Sequence, residues 1–197
     1  MTARASTPPA ETSIVLARRN SGEAQAFDDV HPRARLFTHV RVAILGNSGS
    51  GKSILAKRLA AAASAPMLDL DTIVWEPNVI AVPRPKARVL EDLEKFCNAG
   101  DRWIIEGCYA DVIRASLRWE PELVFLNPGE EVCLRHCRER PWEPHKYASK
   151  AEQDANLAFL LSWVSDYYRR DGSMSLRAHR EVFAEYAGRK REVTVCD

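Results

Sequence analysis

The sequence has little of what commits a chain to a membrane, to a disulfide framework or to a polyanion. Its uninterrupted apolar runs are only a few residues long, far short of the roughly 20 that a membrane-spanning helix needs, and the N-terminus shows no apolar leader core. A cytoplasmic protein without a membrane partner is the expectation. The five cysteines, Cys97, Cys108, Cys133, Cys137 and Cys196, are odd in number and lack paired C-x-x-C spacing, which favours reduced thiols over disulfides. With 28 Lys and Arg against 27 Asp and Glu, the net charge of +1 exerts no global pull on nucleic acid, so any basic patch must be local. Glycine is sparse as well, nine in 197 residues, yet three of the nine fall at positions 46, 49 and 51.

Those three belong to Gly46-Asn47-Ser48-Gly49-Ser50-Gly51-Lys52-Ser53, which fits the phosphate-binding pattern G-x-x-x-x-G-K-[ST] at every fixed position. The glycines let the backbone turn its N–H groups inward around an anion at a helix start. Lys52 is placed to reach the β- and γ-phosphates of a bound triphosphate, and the Ser53 hydroxyl to hold Mg2+. The flanks agree: His39 to Leu45 is a β-branched apolar run, and Ile54 to Ala63 is a helical segment with Leu55, Leu59 and Ala62 on one face. A Gly/Ser linker would not be framed by two such segments.

One α/β domain is expected over residues 39–197, behind a flexible extension at 1–38 rich in Pro, Ser, Thr, Arg and Asp. A second strand runs from Pro66 to Leu70 and leads into Asp69-Leu70-Asp71. Thr72 to Pro85, with three prolines, should be a surface loop, and a helix follows from Pro85 to about Gly100 on the stripe Val89, Leu90, Leu93, Phe96 and Cys97. Arg102–Glu106 is a third strand, ahead of a short helix through Val112, Ile113 and Leu117, and Glu122–Leu126 is a fourth. A helix over Glu130–Arg138 then gives way to a cationic, proline-containing segment, with the lid expected at about 139–152. The spacing of Leu157, Leu160, Leu161, Val164 and Tyr168 predicts one long helix over Ala151–Arg170, followed by a helix over Ser175–Ala187 and a last strand at Glu192–Val195. Short apolar strands alternating with helices mean a parallel sheet covered on both faces.

In such a sheet ligands bind beyond the carboxyl ends of the strands, where this chain places its acids. Glu106 is the candidate for holding Mg2+, partly through water, together with Ser53 and Asp69. Asp69 and Asp71 are candidates for positioning the acceptor or accepting its proton, with Asp71 also a catalytic candidate, and Gly107 and Arg114 are further candidates for contacting it. Either aspartate could instead cap a turn, and Arg114 could be a surface cation. Arg138 and Arg140 are the candidates for closing over the phosphates beside the catalytic Lys52. Cys133, His136 and Cys137, with His145, have spacing that could hold zinc, but the same residues describe a buried helical stripe. Phe159, Trp163, Tyr167 and Tyr168 could stack on bases or simply form core.

Taken together, GNSGSGKS, LDLD followed by Trp75, and WIIEG followed by Tyr109 and Arg114 resemble the adenylate kinase-like and shikimate kinase-like P-loop proteins. The resemblance is greatest to the bacterial group known as DNA topology modulation proteins. It implies a P-loop NTPase three-layer sandwich: a five-stranded parallel sheet in the order 2-3-1-4-5, helices on both faces and a lid. It also implies ATP as donor, Mg2+ as cofactor, a D-x-D pair on Asp69 and Asp71, and a metal-assisting acid on Glu106. Asn127 departs from the aspartate such relatives often carry after the fourth strand, and adenine would have to be held by the lid helix and the Gly188-Arg189-Lys190 turn. The leading expectation is therefore a Mg-ATP phosphotransferase acting on a small-molecule or nucleotide acceptor. The alternatives are a regulatory ATPase that contacts nucleic acid through Arg169, Arg170, Arg177, Arg180, Arg189, Lys190 and Arg191, and a nucleotide binder without turnover.

Overall fold

The computed structural model describes residues 40–76, 82–142 and 148–194. The expected extension at 1–38, and the middle of the expected lid at 143–147, lie outside the described residues. Five strands, β1 (Arg41–Gly46), β2 (Met67–Asp69), β3 (Trp103–Gly107), β4 (Glu122–Leu126) and β5 (Lys190–Val193), form one parallel sheet in the order β2-β3-β1-β4-β5. This is the strand order and layering of a P-loop NTPase sandwich, and no helix among the described residues is long and apolar enough to cross a membrane.

Period-two alternation divides the core between two faces. Ala43, aligned with Ile105 and Leu123, and Leu45, aligned with Phe125, point to the side covered by α3 (Lys86–Asn98), α4 (Ala110–Ser116) and α8 (Leu176–Glu185). Val89, Leu93 and Cys97 of α3 and Val182 of α8 are buried there. On α1 (Lys52–Ala63), Leu55 and Ala56 are buried, whereas Ala62, expected on the same face, is exposed. Complete burial of each Leu, Ile or Phe in this core contributes about 1.5–3 kcal/mol, which is why the central strands carry almost no polar residue.

Three expectations need correction. Thr72–Pro85 is not wholly loop: α2 (Asp71–Val74) starts at its edge, and Trp75 forms an antiparallel bridge with Pro83. The segment expected as one helix over Ala151–Arg170 is two, α6 (Lys150–Ala155) and α7 (Leu157–Asp166). At the break, the Asn156 side chain donates to Glu152 O at 3.0 Å, competing with the backbone ladder. The C-terminal limit falls at Asp166 because Arg170 folds the chain back. Its Nε and Nη1 donate to Met174 O and Trp163 O, and the guanidinium lies 3.6 Å above the Trp163 ring. The last strand begins at Lys190, earlier than expected. By contrast, β4 and α5 (Glu130–Arg138) occupy the ranges read from the sequence.

Candidate active site

β1 delivers the chain into the phosphate-binding loop, and α1 begins at Lys52. Gly49 has φ +77°, and a Cβ there would stand 2.3 Å from Cys133 O and 2.9 Å from Cys137 Sγ. His136 Nδ1 donates to Gly49 O at 2.8 Å, so α5 grips the loop from outside. From the inside, Asn47 Nδ2 donates to Val164 O on α7 at 3.0 Å, while Asn47 Oδ1 accepts from Ser48 N at 2.8 Å. The Gly49→Ala variant is expected to lose at least about 2 kcal/mol through strain at positive φ and the clash with α5. Thermal unfolding and ATP binding, which should weaken together, check this.

Lys52 is buried at 9% exposure, and its Nζ donates to Asn47 O at 2.9 Å. The Ser53 hydroxyl donates to Glu106 Oε1 at 2.5 Å. Glu106 is only 3% exposed, and no ion pair reaches it among the described residues. A buried carboxylate with no cation is costly, and a carboxylate beside a hydroxyl is a hard-oxygen donor set of the kind Mg2+ prefers. The buried Ser50 hydroxyl has no hydrogen-bond partner among the described residues, a second polar atom left for a ligand. These residues fit a magnesium nucleotide.

Asp69 aligns with Glu106 across β2 and β3, and its Oδ1 accepts from Asp71 N at 2.9 Å. Asp69 thus closes a turn just ahead of α2, the turn-capping role its position also allowed. Asp71 Oδ1 accepts from the Tyr109 hydroxyl at 2.6 Å. Gly107 is a packing position: a Cβ there would meet Leu70 at 2.9 Å. Between these groups sits half-buried Cys108. Burial pushes its thiol up to about 11, against the opposing pull of Lys52 and with a further push from Asp71. Lys52, Ser53, Glu106, Asp69 and Asp71 are therefore gathered at the ends of β1, β2 and β3.

The remaining expected site residues make contacts within the fold. Arg114 forms an ion pair with Glu185. Arg140 Nη2 approaches Cys137 Sγ at 3.9 Å, one step from Gly49, and Arg138 is exposed at the end of α5. Cys133 and Cys137 are buried against Val164, and no metal-holding cluster of His, Cys, Asp and Glu occurs among the described residues. Cys133 and Cys137 of the zinc-like spacing pack in the core while His136 holds Gly49 O, and His145 lies outside the described residues. Asn127 Nδ2 donates to Glu192 Oε1 at 2.8 Å, tying β4 to β5. In the basic set of the C-terminal third, Arg177 pairs with Asp171, and Arg189 and Arg191 pair with Glu122. Lys190 Nζ donates to Phe183 O and Ala184 O, and Arg170 is held by carbonyls. Arg189 and Lys190 of the Gly188-Arg189-Lys190 turn thus contact their own fold.

Beneath the site lies His179, wholly buried, which no sequence signal distinguished. Its Nε2 donates to Cys108 O at 2.8 Å, and Nδ1 accepts the Tyr167 hydroxyl at 2.8 Å. Burial lowers its pKa from 6.5 to about 4. The unfolded chain therefore binds a proton that the folded one refuses. The stability this contributes is complete above pH 6.5 and is lost as pH falls toward 4, about 3 kcal/mol in all. Urea midpoints measured across that window should fall more steeply for the wild type than for His179→Gln, which does not titrate.

No protein-family model matches the chain, and no curated protein matches it. Among solved structures it is similar to a gluconokinase from Sinorhizobium meliloti, with 17% identity, TM-score 0.49, and coverage of 80% of this chain and 83% of that one. It is also similar to a shikimate kinase from Acinetobacter baumannii in complex with shikimate, with 15% identity, TM-score 0.46, and coverage of 83% and 88%. A deoxyadenosine kinase from M. mycoides with bound dATP follows at 10% identity, TM-score 0.35, and coverage of 79% and 91%. At such identities and TM-scores the likeness assigns neither a substrate nor a residue role.

Proposed function

We propose that this protein is an ATP- and Mg2+-dependent phosphotransferase that delivers a phosphoryl group to the hydroxyl of a small molecule. The observation that carries the reading is the convergence of Lys52, the Ser53–Glu106 pair and Asp71 at the ends of three adjacent strands. Mg-ATP, when bound, supplies the phosphoryl group and the divalent charge. The loop backbone and Lys52 would hold phosphate oxygens, Ser53 and Glu106 would hold the metal with Asp69 nearby, and Asp71 would orient the acceptor hydroxyl. As the acceptor oxygen bonds to phosphorus and the bond to the ADP oxygen breaks, Asp71 takes the hydroxyl proton. Arg138 and Arg140 are the cations proposed to close over the transferring group and exclude water, within a lid at about 139–152.

A hydroxyl acceptor is favoured over a phosphate because the cations on the elements flanking Asp71 are already neutralised. Lys86 pairs with Asp111 at 2.8 Å, Arg84 with Asp92 at 2.8 Å, and Arg114 with Glu185. A dianionic acceptor brought beside Asp69 and Asp71 would meet repulsion and little compensation. The test is ADP release from Mg-ATP with a panel of nucleosides, nucleoside monophosphates, sugars and hydroxy acids, with Lys52→Ala as blank. Stimulation by a neutral or hydroxy compound supports the reading. Stimulation by monophosphates alone overturns the acceptor class, and stimulation by DNA or RNA alone replaces the kinase with a regulatory ATPase.

A further inference from the structure

Two residues in the sequence motifs, Trp75 and Tyr109, have no part in phosphate or metal binding, yet the structure joins them directly to Asp71. Trp75 Nε1 donates to the Tyr109 hydroxyl oxygen at 2.6 Å, and that hydroxyl donates to Asp71 Oδ1 at 2.6 Å. The rings meet edge to face, with centroids 6.3 Å apart at 66°. Tyr109 is 5% exposed and packs in the core, so the phenol has little room to turn. Trp75 is fixed in its turn by the bridge to Pro83, by Glu76 N donating to Val82 O at 2.9 Å, and by Arg84 N donating to Val74 O at 2.8 Å.

Direction follows from the donor inventory. An indole N–H can only donate, so the phenol oxygen accepts, and the phenol hydrogen must go to its other neighbour, Asp71. We infer that Trp75 and Tyr109 form a one-way hydrogen-bond chain that orients the Asp71 carboxylate, with Tyr109 as the positioning residue and Trp75 setting the direction. Burial, reinforced by Cys108 and the Asp71 charge, holds the phenol well above its ordinary range, so the hydroxyl keeps its proton and remains a donor. The chain explains why a tryptophan four residues after Asp71 and a tyrosine two residues after Gly107 accompany the acidic pair. The inference rests on the reading of Asp71 as the group that takes the acceptor proton.

The experiment has a structural arm and a kinetic arm. The protein has five tryptophans, and loss of one indole N–H resonance in Trp75→Phe assigns the signal in an 15N-labelled sample. Asp71→Asn should move that signal in the wild-type background and leave it unmoved in Tyr109→Phe. In the kinetic arm, ADP release from Mg-ATP is followed with water alone and with the most stimulating panel compound. Tyr109→Phe should lower kcat about tenfold or more while Mg-ATP binding stays unchanged. Trp75→Phe should lower it less, and the double variant should match Tyr109→Phe alone, because Trp75 acts only through Tyr109.

Additive losses, a parallel loss of nucleotide affinity, or an indole signal indifferent to Asp71 would each overturn the positioning role. Should Tyr109→Phe fail to fold, Trp75→Phe with Tyr109 intact carries the kinetic comparison and Asp71→Asn the spectroscopic one. A responsive indole signal in a wild type without Lys52-dependent ADP release overturns the kinase reading itself and leaves the chain a purely structural tie.

Discussion

Lys52→Ala is expected to abolish nucleotide-dependent turnover, with kcat/KM falling at least about a hundredfold, and to leave the fold standing. The ammonium is buried and donates to the Asn47 carbonyl, and no carboxylate pairs with it among the described residues. Holding a desolvated cation against one carbonyl does little for the fold, so its removal should leave the melting temperature unchanged or raise it. The same charge facing phosphate oxygens in a dry loop acts through a low local dielectric, where its effect is largest. Calorimetric titration of Mg-ATP, thermal unfolding and ADP release together check the dissociation of function from stability. Unaltered ATP affinity in the variant would show that the loop is not a phosphate site.

Asp71→Asn is the second large effect, and it should fall on a different quantity. The amide is nearly the same shape, and its oxygen can still accept the Tyr109 hydroxyl, so the geometry around α2 survives. What is lost is the negative charge and the ability to take a proton. Acceptor-dependent turnover should drop by about a hundredfold to ten-thousandfold, the usual range for a positioned general base, while Mg-ATP affinity changes little. Separate measurements of ATP binding and acceptor-stimulated ADP release decide it. Equal losses in both would place Asp71 with the nucleotide and remove its role toward the acceptor.

The contrast between these two residues shows where sequence reading succeeds. Lys52 belongs to a contiguous motif whose chemistry depends on local backbone geometry, so eight consecutive residues suffice to place it. Asp71 was a candidate because it follows a strand, but its orientation comes from Trp75 and Tyr109, the latter 38 positions away. Arg114 has a partner that no short-range pattern gives. Residue type alone allowed it to bind an anion, and only the packing of α4 near α8 shows its guanidinium paired with Glu185. Cys133, His136 and Cys137 had metal-like spacing because helical periodicity brings i, i+3 and i+4 together whatever their purpose. The structure uses two of them to pack and the third to hold Gly49.

By itself the sequence determined the P-loop, the approximate positions of the sheet-forming segments, and the placing of acids at strand ends. Each of these is written in short-range pattern: a glycine-rich loop, apolar runs of strand length and helical periodicity. The tertiary structure alone decided which polar groups meet. It joined Ser53 to Glu106, and Asn47 to Val164. It placed His179 under Cys108, and it divided the helix expected over Ala151–Arg170 where Asn156 and Arg170 bond to carbonyls. The physical reason is that burial and pairing depend on neighbours distant in the chain, and the residue types involved are equally at home on a solvated surface.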